Sequence, residues 1–156
     1  FLETPGTAAA TTSGWAYLDS WDGIGGMAVF KFGGLPTHDA EAVVPIVSEF
    51  DDHHFLPFDN RAGYVTSVAL VNPSTFSSET VTLAFLDTSG NRFHLDQFTL
   101  RPLEQMTFET TVRYPQTIGR NGVVEILAST WGVPALGLLF NPRYSFTSVH
   151  TLAPLF

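Results

Sequence analysis

The chain has 156 residues, no cysteine, 44% hydrophobic and only 14% charged residues, and fifteen acidic against seven basic side chains for a formal net charge of −8. A chain of this length can bury a sizeable core as one domain or one and a half, and its apolar content argues against disorder. The acidity disfavours a nucleic-acid partner, the lack of cysteine removes disulfides, zinc thiolate sites and thiol catalysis, and no apolar run approaches the roughly twenty residues that span a bilayer.

Residues 1–13 (FLETPGTAAATTS) form an arm that opens on the apolar pair Phe1 and Leu2 and continues as a Thr-rich connector. Such an arm needs a surface to lie on, as does the apolar tail 152–156 with Leu155 and Phe156; its own chain and a second copy are both open. The start at Phe1 rather than Met fits removal of an export signal and equally an excised stretch of a longer sequence. Sparse charge leaves the surface to Thr, Ser, Asn and Gly, a habit of secreted β proteins.

Trp15, Tyr17 and Asp19 alternate with Ala16 and Leu18, the period of a strand. A glycine-rich turn over 22–26 leads to a strand at 27–32 (MAVFKF), and a loop over 33–39 to one at 40–47 (AEAVVPIV). Pro45 lacks an amide donor and belongs at an edge or bulge. Residues 48–54 read as an acidic connector.

From residue 55 a complete domain is expected. Residues 64–72 alternate, with Tyr64, Thr66, Val68, Leu70 and Asn72 on one face. Strands at 79–87 (ETVTLAFLD), 93–100, 105–112, 123–128, 135–141 and 146–152 follow, with a TSGN turn at 88–91. Seven strands at short, regular spacing, with no sustained helical period, predict an all-β, antiparallel immunoglobulin-like β-sandwich.

The first part of the chain echoes the last. Gly14 and Gly122 lie 108 residues apart, as do Phe32 and Phe140, while Pro45 and Pro154 lie 109 apart. On that offset SGWAYL, MAVFKF and AVVPI correspond to NGVVEI, ALGLLF and TLAPL. Residues 14–54 thus read as the second half of a sandwich domain plus its connector, and 55–156 as a complete one.

The succession GWAYL, GIGGMAVFKF, EAVVPI, LPFDN, GYVTSVALVNP, VTLAFLDTSG, GVVEIL, ALGLLFNP resembles a β-sandwich segment that recurs in long secreted proteins of Acidobacteria and related bacteria. LPFDN and ALVNP are its most specific parts, and the resemblance covers nearly the whole chain. It implies export and a non-catalytic accessory or structural domain. The family has no established activity, so no catalytic residue carries over, and this chain departs from it by starting in mid-repeat.

A half-sheet bearing Trp15, Tyr17, Met27, Val29, Val44 and Ile46, with Phe30 and Phe32, has more apolar surface than it can hide on itself. At roughly 25 cal/mol per Å², on the order of ten kcal/mol of burial is left unrealised. An open edge adds unpaired amides that invite another strand. The expectation is a structural, self-associating extracellular protein whose half-domain is completed by β-strand complementation, in a contact that generates fibres. The expected subunit contacts are Phe1, Leu2, Trp15, Tyr17, Phe30, Phe32, Leu155 and Phe156.

Other chemistry is thinner. Asp51, Asp52, His53 and His54 carry metal-ligating groups, but adjacent histidines on an extended chain point to opposite sides, so a solvated connector is the better reading. His94 and His150 sit on strands as surface or satisfied residues. No nucleophile elbow, triad or assignable carboxylate pair occurs, so neither catalysis nor a cofactor is expected. Trp21, Trp131 and Tyr144, with Trp15 and Tyr17, could stack on sugar rings, which makes a polysaccharide-binding or adhesive module the alternative. Caps on the core or subunit contacts explain the same aromatics without a ligand.

Overall fold

A computed structural model describes residues 14–18, 21–22, 24–32, 40–46, 51–130 and 132–154, with the backbone alone for residues 30–32 and 40. The first strands are β1 (Met27–Phe32) and β2 (Ala40–Pro45), an antiparallel hairpin in register from Met27 opposite Pro45 to Phe32 opposite Ala40. Pro45 closes the strand at the end of this two-stranded sheet, where a missing amide donor costs least. Residues 14–18 form no strand, although their alternation predicts one: no partner strand lies beside them among the described residues, and alternation alone does not supply the ladder that makes a strand. Asp19 lies outside the described residues.

Eight strands follow: β3 (His53–Asp59), β4 (Val65–Val71), β5 (Glu79–Asp87), β6 (Arg92–Leu100), β7 (Gln105–Glu109), β8 (Asn121–Ala128), β9 (Ala135–Phe140) and β10 (Phe146–Val149). They form two four-stranded antiparallel sheets, β3-β8-β5-β6 and β10-β9-β4-β7, packed as a sandwich. The pairing of β4 with β7 and of β5 with β8 matches the B–E and C–F adjacency of the immunoglobulin arrangement, while β9 lies on β4 rather than on β8.

Three expectations are corrected here. The acidic connector ends before His53, because β3 begins there. Its Pro57 has the same parity as Phe55, whose amide points away from β8 to Leu152, so the proline removes no bond from the β3–β8 ladder. The strand expected over 105–112 stops at Glu109, and the chain turns into a short helix, α1 (Thr110–Arg113), followed by a 3-10 turn at Pro115–Thr117. The last strand ends at Val149; Leu152 then crosses to the other sheet, its amide and carbonyl bonded to Phe55 at 2.8 and 2.9 Å. This crossing also separates the two parts matched in sequence, since β2 pairs with β1 whereas residues 151–154 reach β3.

The alternation read from the sequence lies on the right face. Thr66, Val68, Leu70 and Asn72 are buried, while Tyr64, read on the same face, precedes β4 and is 40% exposed; the core gathers around Phe85 of β5, whose ring meets those of Phe58, Phe93 and Tyr114. Burying such a ring stabilises the fold by about 2 to 3 kcal/mol. β6 carries one extra residue, Phe93, where its register with β5 shifts; on the other side of β5, Gly122 of β8 sits against the Leu86 carbonyl, leaving no room for a Cβ.

Candidate functional site

The two most specific motifs hold asparagines whose side chains are spent inside the fold. Asn60, closing LPFDN, is buried just after β3. Its Nδ2 donates to Thr110 Oγ1 at 2.8 Å and to Thr117 Oγ1 at 2.9 Å, while its Oδ1 accepts the Thr66 amide at 2.9 Å. Thr110 Oγ1 in turn donates to the Thr66 carbonyl at 2.7 Å. Asn72, in ALVNP, does the same work at the other end: its Nδ2 serves the carbonyls of Ser77, Leu100 and Arg101 at 2.8 to 3.1 Å, and its Oδ1 accepts the Ser74 amide at 3.0 Å. Loops that would otherwise bury unpaired backbone groups are thereby bracketed to the strands. Beside Asn60, Asp59 receives a two-pronged bond from Arg61, and that bond holds its carboxyl below the usual range.

A third bracket is not visible as a motif. Tyr114 is buried; its hydroxyl donates to Asp96 Oδ2 at 2.8 Å and accepts from Arg113 Nε at 2.8 Å. Burial first, then the Asp96 bond, pushes the phenol well above its ordinary value, so it stays protonated and offers no base. Arg113 lies over the rings of Phe98 and Phe108 at 5.0 and 5.3 Å. Glu79, also buried, accepts Ser129 Oγ at 2.7 Å and the Thr130 amide at 2.6 Å. Each of these polar clusters is internally satisfied.

The metal candidates do not converge. β3 turns His53 outward, where its Nε2 meets Glu125 Oε1 at 2.9 Å, and turns His54 inward, where it is buried and its Nε2 has no partner among the described residues. Asp51 and Asp52 precede the strand and are exposed, their carbonyls accepting the amides of Val133 and Ala128. Among the described residues no group of three such ligands gathers.

Of the sugar candidates, Trp21 is fully exposed ahead of β1, Tyr144 is 72% exposed in the β9–β10 turn, and Trp131 lies outside the described residues. Of the expected subunit contacts, Phe1, Leu2, Leu155 and Phe156 lie outside the described residues, as do the side chains of Phe30 and Phe32. Trp15 touches its own chain, its indole N–H donating to the Leu103 carbonyl at 3.3 Å, whereas Tyr17 is 70% exposed.

The hairpin has two unlike faces. Ala42 is buried and Val44 half-buried on one, and β2 lies against β10. The other carries Met27, Val29 and Val43, exposed by 66, 48 and 38%, with Val29 directly opposite Val43. The outer edge of β1 has no strand partner among the described residues. The molecule is thus an all-β sandwich with an attached hairpin that shows an apolar face. No protein-family model, curated protein or solved structure matches this chain. No helix among the described residues is long and apolar enough to cross a membrane.

Proposed function

We propose that this chain is a non-enzymatic, exported structural protein that associates with further copies of itself into a fibre or surface assembly, by strand or half-domain complementation at the β1–β2 hairpin. The observation that carries this reading is the exposed row Met27, Val29 and Val43 on a sheet of only two strands. Two strands alone are marginal in water, an unpaired edge templates further strands, and a contiguous apolar patch marks a contact surface. The low charge and the Thr, Ser, Asn and Gly surface support an extracellular setting. Sedimentation velocity across a concentration series tests it: mass should grow with concentration in the native chain and fall back to monomer in Val29→Glu. A native chain that stays monomeric overturns the reading.

The full exposure of Trp21 favours a second reading, a carbohydrate-binding or adhesive module. Retention on insoluble polysaccharide, lost in Trp21→Ala while sedimentation stays monomeric, would support it.

A further inference from the structure

The attached hairpin repeats the last hairpin of the sandwich. β1 and β9 are each six residues long and begin 108 positions apart, at Met27 and Ala135. Each turns back antiparallel on the strand that follows it, and Val29 lies opposite Val43 just as Gly137 lies opposite Val149. The faces therefore correspond place by place: Met27, Val29 and Val43 stand where Ala135, Gly137 and Val149 stand.

In the sandwich that face is an inner one. Ala135 and Val149 pack against the core, and a Cβ built on Gly137 would meet Leu56 of β3 at 2.8 Å. On the hairpin the same three places are exposed, while Ala42 on the reverse face is buried. The neighbours of β9 show what β1 lacks. β4 runs along one edge of β9, with Leu70 opposite Ala135 and Val65 opposite Phe140. The matching places on β1 are Met27 and Phe32, along the edge that has no strand partner among the described residues. β3 lies over the inner face of β9, with Leu56 on Gly137. Both neighbours belong to one continuous stretch whose corner is held from within: Asn60 Oδ1 accepts the Thr66 amide and Thr66 Oγ1 accepts the Asp59 amide, both at 2.9 Å.

We propose that the β1–β2 hairpin is the acceptor for a segment of the β3–β4 kind, an LPFDN strand that turns into an ALVN strand. The second strand of the segment pairs with the outer edge of β1, and the first lies over Met27, Val29 and Val43. This rests on the reading above in taking the hairpin as the place of complementation, and it narrows the donor. A closed copy has its own β3–β4 stretch covered by β9, so the donor is an open segment. Edge pairing supplies the ladder bonds, and the inner face supplies the specificity. Side-chain size sharpens the match. Val29 fills space that Gly137 leaves to Leu56, so the place of Leu56 in the donor suits a smaller residue.

The test uses the full chain and labelled synthetic peptides of residues 53–72, followed by fluorescence anisotropy. The native peptide should bind saturably, its Leu56→Ala form about fivefold more tightly or better, and a peptide of shuffled order not at all. Val29→Glu and, separately, Met27→Glu in the chain should each weaken binding by about tenfold or more. Both side chains are exposed, so the fold is kept, and circular dichroism verifies it. Native binding no tighter than that of the shuffled peptide, a Leu56→Ala form that binds more weakly, or binding undiminished in both folded variants overturns the proposal. Sedimentation of the chain alone separates it from the reading above. Association without peptide binding sinks the donor proposal and leaves self-association standing; peptide binding by a chain that stays monomeric does the reverse.

Discussion

The side-chain amide of Asn60 meets the hydroxyl of Thr110 at 2.8 Å, joining the end of β3 to the start of α1 across fifty residues of sequence. Both groups are buried, so removing the amide leaves the Thr66 amide without its acceptor and takes one bond from each of two threonine hydroxyls, which keep their own donations to the Thr66 and Tyr114 carbonyls. Asn60→Ala is expected to cost about 3 kcal/mol, read from the urea midpoint. Unchanged stability would show that water replaces the amide without loss.

Asn72 makes the same kind of bracket one β4 length away, on different loops. With no shared partner, Asn60→Ala and Asn72→Ala should add to within about 0.5 kcal/mol in the double variant. A larger coupling would mean that the two brackets tighten one common element.

Asp96 gives the acid dependence. Burial raises its pKa, but the bonds from Tyr114, the Gln97 amide and Arg113 outweigh burial and leave it below its ordinary 3.8. A carboxyl that is more acidic when folded adds stability above its unfolded pKa, and that stability drains as pH falls toward the folded value. Asp96→Asn should therefore be less stable than the native chain at pH 7, with the gap closing below about pH 4. Urea midpoints at several pH values decide it; a gap that does not change with pH would contradict the assignment.

Gly14 and Gly122 occupy matched places in the sequence but not in space. A Cβ on Gly122 would collide with the backbone carbonyl of Leu86 in β5, whereas one on Gly14 meets nothing within 4 Å. Gly122→Ala should cost about 3 kcal/mol and Gly14→Ala close to nothing in thermal melts.

Tyr144 stands at positive φ, which favours glycine by about 1 kcal/mol. Tyr144→Gly should keep or slightly raise the melting temperature; a clear fall would show that the ring contributes more than its strained backbone costs.

Much of the sandwich was legible because burial there obeys a period of two. Val68 and Leu70, or Val81, Leu83 and Phe85, declare their strand by alternation, and Gly90 declares the turn between β5 and β6. What stayed hidden depends on tertiary partners. β3 carries a proline and runs into Asp59 and Asn60, which read as turn chemistry, and only an edge position makes Pro57 harmless. Trp15 and Tyr17 alternate yet form no strand, since local pattern cannot supply a neighbour. The Tyr114, Asp96 and Arg113 cluster joins residues seventeen and eighteen positions apart with no spacing that marks them.

The stitch between Leu152 and Phe55 also decides where a stranger's strand can enter. It occupies the rim of β3 with the protein's own chain, β7 is a mere five residues, and β6, though nine residues long, carries a bulge at Phe93. Those three rims are thereby poor templates for chance zippering, whereas the outer rim of β1 carries no such guard among the described residues.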